Sequence, residues 1–283
     1  MGTAMDERLA IGLALGILAS MLLNVGKGVQ KQKVEVLKQG SKMFYNPYRR
    51  DFIIWLIGIL MTIAAAAFYS ASLKFSDKSS LVASLSGIGL VGLMLYAWLV
   101  LKESIGLREV FSSALIILGT GMIGYFNQAL GQEQQYSLTH FIYVSLFLLA
   151  VFGGLALIGI KSPKFWGFAF GLIAGSLIGL AMILGDMALV RSGGSMLRQF
   201  QNPYVYFAML SSTSALAITQ VAFFKGKAML VVPTINSFII LTPLLVEYFT
   251  FGVRLNLIQY LGVTVIIAGI VMLTTGPRQV FQK

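Results

Sequence analysis

Apolar residues run along this chain in nine stretches of about twenty, separated by short polar connections. At 1.5 Å rise per residue, stretches such as 52–73, 81–101 and 141–160 can cross a hydrocarbon core of roughly 30 Å. The pattern predicts helices 1 to 4 across 9–126, helix 5 at about 141–160 and helices 6 to 9 across 165–274. The longest polar stretch is about 25 residues, which leaves no room for a soluble catalytic or regulatory domain.

The last four stretches resemble the first four. Gly12-Leu13-Ala14-Leu15-Gly16, running on to Gly26-Lys27, lies over Gly171-Leu172-Ile173-Ala174-Gly175, running on to Gly185-Asp186, at an offset of 159. Helices 2–4 lie over helices 7–9 without gaps at an offset of 150, pairing Ser70 with Gln220, Val82 with Val232, Leu107 with Leu257 and Gly119 with Gly269. A copy displaced by five helices, an odd number, crosses the membrane in the opposite sense. Inverted repeats of this kind build alternating-access transporters. The expected fold is an all-α polytopic membrane protein of about nine helices, with two inverted four-helix repeats joined by a linking helix. Its divisions are a first repeat at 1–126, a linker with helix 5 at 127–164 and a second repeat at 165–283.

Mean hydropathy is +0.84 and only 11% of residues are charged, so the net charge of +11 is better counted by side than read as a nucleic-acid footprint. Alternate connections and the C-terminus carry 15 Lys/Arg, against 6 for the N-terminus and the other connections. The positive-inside rule then puts the N-terminus outside and the C-terminus inside, in the plasma (cytoplasmic) membrane. Much of the bias comes from 27–50, which leaves room for a short re-entrant segment or a tenth helix, and a missed helix there would flip helix 1. Within it, 28–40 reads either as an extension of helix 1 lying on anionic headgroups, with Lys31, Lys33 and Lys38 in water, or as part of a cytoplasmic gate. The start, 1–6, reads as neither a myristoylation site nor a signal peptide, so helix 1 is expected to be retained. With no Cys, disulfides, thiol nucleophiles and cysteine zinc sites are excluded.

Gly167, Gly171, Gly175 and Gly179 recur every fourth residue in helix 6, and Gly12, Gly16, Ser20 and Asn24 do so in helix 1. Small residues at this spacing let another backbone approach closely. Such stripes serve static packing, or flank a substrate cavity and slide. Helix 8 holds Pro233 and Pro243, and Asn236, Pro243 and Glu247 share one stripe. That pattern predicts either a broken helix walling a pathway or a kink against a neighbour.

Asp186 and Glu247 are the acidic residues set within apolar spans, and ionisable groups there default to functional candidates. The alternative places them at headgroup level, solvated or paired with Arg191 or Arg254. Lys27 stands at the repeat position of Asp186, as a pathway cation or a snorkelling lysine. Gln220, Asn236, Asn24, Tyr69, Ser70 and Thr213 are candidate polar lining, although Ser and Thr often bond back to their own helix. His140 reads as an interfacial residue. There is no HExxH, nucleophile elbow or nucleotide-binding motif, so neither an enzyme nor ATP coupling within this chain is expected.

Three segments carry a family resemblance. They are Asn24-Val-Gly-Lys-Gly-Val-Gln-Lys-Gln-Lys33, the run 79–103 with Gly119, and Ile218-Thr-Gln-Val-Ala-Phe-Phe-Lys-Gly-Lys-Ala-Met229 followed by Val232-Pro233. Together they resemble the drug/metabolite transporter superfamily, and within it the EamA-type and NIPA-like proteins, over nearly the whole chain. Glu103 matches the family's turn glutamate, whereas Val253 stands at the equivalent place in the second half and Ala83-Ser84 replaces the first-half Thr-Pro. The resemblance implies secondary transport of a small solute without a cofactor. Mg2+ or another cation is one cargo, and export of a metabolite or drug-like compound fits equally. A channel or an intramembrane lipid enzyme are the rivals from other classes. Expected partners are the bilayer, the cargo and a second copy in a homodimer, with no nucleic acid.

Overall fold

The computed structural model describes residues 2–75, 85–126, 137–193, 197–252 and 254–275. Nine α-helices and no strands are found among them. They are α1 (Gly2–Lys33), α2 (Arg49–Phe75), α3 (Gly89–Leu99), α4 (Leu107–Phe126), α5 (Leu138–Lys161), α6 (Trp166–Arg191), α7 (Pro203–Lys225), α8 (Ala228–Phe251) and α9 (Leu257–Thr274). All but α3 are long and apolar enough to span a bilayer. The chain is an integral, multi-pass membrane protein. The start predicted for helix 3 falls partly outside the described residues, and α3 follows a 3-10 turn at Leu85–Gly87.

Helix ends follow local chemistry. Ser137 caps α5 by accepting the His140 N–H, and Asn202 caps α7 with Pro203 in the first turn. Asn256 and Gln259 form a reciprocal capping box on α9. His140 is exposed beside its cap, with its Nδ1 2.7 Å from Ser137 Oγ. The basic segment after helix 1 holds no further span. Val34–Phe44 is a 3-10 stretch interrupted at Gly40, and a 2.7 Å ion pair between Lys33 and Asp51 ties the end of α1 to the start of α2.

The described chain forms two compact units. The first comprises α1 to α4, the start of α8 (Lys227–Pro233) and α9; the second comprises α5, α6, α7 and α8 from Thr234. In the first unit, α1 packs on α2 and α3. Gly58 of α2 leaves room for the backbone of Gly26 and Gln30, where a Cβ would sit 2.8 Å from the Gly26 oxygen and 2.7 Å from the Gln30 nitrogen. Gly89 of α3 sits against the Ser20 backbone in the same way. In the second unit, α6 packs on α7, and Gly175 and Gly179 face Ile235, Phe238, Thr242 and Pro243 of α8. Rising numbers on one helix meet rising numbers on the other in both α1–α3 and α6–α8, so each pair runs parallel.

The α4–α9 crossing carries the repeat symmetry directly. A Cβ on Gly119 would lie 2.6 Å from the Gly262 oxygen and 2.7 Å from Ile266. Moving each residue to its repeat equivalent turns these contacts into Ser112 with Gly269 and Ile116 with Gly269. Both are present, each 2.9 Å from a Cβ on Gly269. The two helices run antiparallel, as copies displaced by five helices must. Glycine is required here because the backbones themselves touch.

Helix 8 corrects one alternative. It is not broken: α8 continues through both prolines. Each proline removes a single backbone donor, and the turns on either side hold the helix. Gly179 of α6 gives the Pro243 ring its space, since a Cβ there would lie 2.7 Å from Pro243 Cδ.

Candidate functional site

Buried polar groups in an apolar span must find partners, so their positions mark the places where the bundle is specialised. In the second unit these groups lie on α6, α7 and α8. The most apolar part of α6 is 78% buried and that of α8 61%, against 17% for α2 and α5. The helices carrying Asp186 and Glu247 are therefore interior ones. Asp186 is exposed near the end of α6 and Glu247 is half-buried on α8. The two carboxylates lie within electrostatic reach of each other. Among the described residues neither forms an ion pair. Arg191, one of the two arginines that the headgroup-level alternative offers as a partner, lies 4.9 Å over the Tyr204 ring.

Gln220 is buried on α7, with its amide 3.5 Å from the Leu216 carbonyl, and Asn236 is half-buried on α8. The Thr242 hydroxyl donates to Ser176 at 2.9 Å, a buried α8–α6 bond that the sequence reading missed. Thr213 is exposed on α7. Among the described residues no three of His, Asp and Glu converge on a metal position. A divalent cation met here would keep much of its water, as Mg2+ does when one or two carboxylates bind it.

In the first unit, Ser20, Asn24, Lys27 and Lys31 lie on one stripe of α1 at helical spacing. Asn24 is fully buried and Lys27 is 5% exposed. The Asn24 amide donates to the Ser20 carbonyl at 2.9 Å, and Ser20 Oγ accepts the Gly89 N–H at 2.8 Å. Gln30, read from sequence as part of a polar extension, is buried and donates to Gly58 O and Thr62 Oγ1 at 3.1 and 3.3 Å. Ser72, also missed, donates to the Gly12 carbonyl. Tyr69 is half-buried, and Ser70 is exposed and bonds back to Ala66 at 2.9 Å. Gly12, Gly16, Gly167 and Gly171 are all buried.

Glu103 shows what its turn position does. Its two carboxylate oxygens accept the backbone N–H groups of Ala228 and Met229 at 2.7 and 3.1 Å, closing the open start of α8. Burial raises its pKa above the ordinary 4.5. The two N–H donors and the charges of Lys31 and Lys227 pull in the opposite direction and recover only part of that rise.

No protein-family model, curated protein or solved structure matches this chain.

Proposed function

We propose that this protein is a secondary transporter, moving a small solute across the membrane by alternating access without ATP. The α4–α9 crossing carries the reading. Its contacts map onto themselves when the two repeats are exchanged, and a bundle of two such inverted halves has two related arrangements of similar energy. Opening towards one face and then the other is a use of that near-degeneracy.

The cargo proposed is a cation, with Mg2+ first. Asp186 and Glu247 on interior helices would attract it, and Gln220 and Asn236 would orient it. Thr213 is a further candidate within the second unit, and Lys27, Asn24, Tyr69 and Ser70 are the polar candidates within the first. Export of a metabolite or drug-like compound within the drug/metabolite transporter superfamily, of the EamA or NIPA-like type, is the alternative. It draws on the amide and hydroxyl groups more than on the acids.

Flux into proteoliposomes tests both. Mg2+ entry above that of empty vesicles is expected for the wild type, with loss in Asp186→Asn and Glu247→Gln. Protein that moves another solute but no Mg2+ removes the magnesium version, and full activity in both variants removes the two acids from the mechanism. Single-channel currents in a planar bilayer would overturn the carrier reading itself.

A further inference from the structure

At the end of α6 the chain turns through Ser192 and Gly193, the latter at φ +60°, and re-enters α7 by way of a 3-10 turn at Arg198–Gln201. Between these segments lies an open, largely solvent-facing pocket of about 380 Å3, lined by Arg191, Ser192, Gly193, Arg198, Gln201, Asn202 and Pro203. This is at the low end of the roughly 300–1,000 Å3 found for small-ligand sites. Among the described lining residues none is acidic. Two are guanidinium groups, always charged and shaped to bind the oxygens of a phosphate in pairs.

The remaining chemistry also favours an anion. Asn202 Oδ1 accepts the Tyr204 N–H at 3.1 Å, which leaves its amide NH2 to donate elsewhere. Gln201 adds a second amide. The Arg191 guanidinium is steadied over the Tyr204 ring. The first backbone donors of α7 are already engaged, Tyr204 N–H with the cap side chain and Val205 N–H with the Asn202 carbonyl. Recognition would therefore fall to side chains, supplemented by the positive end of the α7 dipole.

The surroundings set the depth. Leu197 (83% exposed), Phe200, Tyr206 and Phe207 present apolar surface around the turn. The Tyr206 hydroxyl donates to the Phe200 carbonyl at 2.9 Å. Aromatic residues with one apolar and one polar end belong at the membrane–water boundary, where phosphate groups are concentrated.

We infer that the Arg191–Arg198 pocket binds a phosphate group, presented either by an anionic phospholipid headgroup or by a soluble phosphate. None of these lining residues is assigned to the proposed cargo path, and the inference does not rest on that reading. The test uses the full chain purified in detergent, following thermal unfolding with added phosphatidylglycerol, phosphatidylcholine or inorganic phosphate. A rise in Tm with phosphatidylglycerol but not phosphatidylcholine, lost in R191Q/R198Q, supports the site with a lipid as its source. A rise with inorganic phosphate that the double variant loses supports it with a soluble source. R198Q alone, altered on an exposed turn, gives the same readout if the double variant does not fold. No rise with either phosphate probe, equal rises with both lipids, or an undiminished rise in the variants overturns the inference.

Discussion

Glu103 lies in the short connection between α3 and α4, 125 residues before the helix it caps. Its removal separates two effects. Glu103→Ala leaves the Ala228 and Met229 N–H groups without their acceptor and should lower stability by about 1–3 kcal/mol. Glu103→Gln keeps one acceptor oxygen and should cost less. The pH dependence has a definite sign. The folded-state pKa is raised above the ordinary 4.5, so folding binds the proton more tightly than the unfolded chain does. The contribution of this group is complete below pH about 4.5 and is lost as pH rises through its folded-state midpoint. Thermal unfolding in detergent across that range should show the decline in wild type and its absence in Glu103→Gln; identical pH profiles would contradict it. Asp186, Glu247 and Lys27 stood out in the sequence because charge is conspicuous against apolar neighbours. Gln30 and Glu103 did not. Each sits in a locally polar stretch, and its partner is supplied by tertiary structure rather than by neighbouring positions.

Among elements, eight of the nine described helices were legible because length and hydropathy alone decide what can cross a bilayer. The register of their contacts was half legible. Spacing by four marked the small-residue faces of α1 and α6, but which helix each face meets depends on the fold. Pro243 illustrates the limit: its chemistry predicts a disturbance, while the space opposite it comes from Gly179, 64 residues earlier. Gly119 of α4 permits a sharp test. Gly119→Val would drive its side chain into Gly262 and Ile266 and should cost about 1–3 kcal/mol as overpacking. Gly153→Ala on α5, where an added Cβ meets nothing within 4 Å, should be neutral or slightly stabilising, since alanine is the better helix former. Unfolding midpoints of the two variants in the same detergent compare them directly, and equal values would remove the α4–α9 crossing as a point of close packing. Ser20→Ala makes a related case at α3. It strips the Gly89 N–H of its acceptor and should destabilise by about 1–3 kcal/mol, measured in the same way.

At the level of the molecule, repeat and compact unit divide the chain differently. α9 belongs to the second repeat by sequence, yet it packs on α4 and clusters with the first unit. Within the first unit the fourth helix of each repeat meets the other, and the symmetry is visible there in individual contacts. The sidedness of the connections is then the whole-molecule consequence to measure. The connection after α1 and the connection after α6 occupy equivalent places in the two repeats, so inversion requires them to lie on opposite sides. The charge count puts the first inside. A chain without cysteine makes the experiment clean, because every introduced thiol is the sole one. Ser41→Cys and Lys164→Cys should be protected from a membrane-impermeant maleimide in intact cells and become reactive when the membrane is opened. Gln201→Cys and Arg254→Cys should react from outside. Reversal of all four would keep the inverted repeat and turn the molecule over. Labelling of Ser41→Cys and Gln201→Cys from the same side would break the equivalence of the halves, and the transporter reading that rests on it.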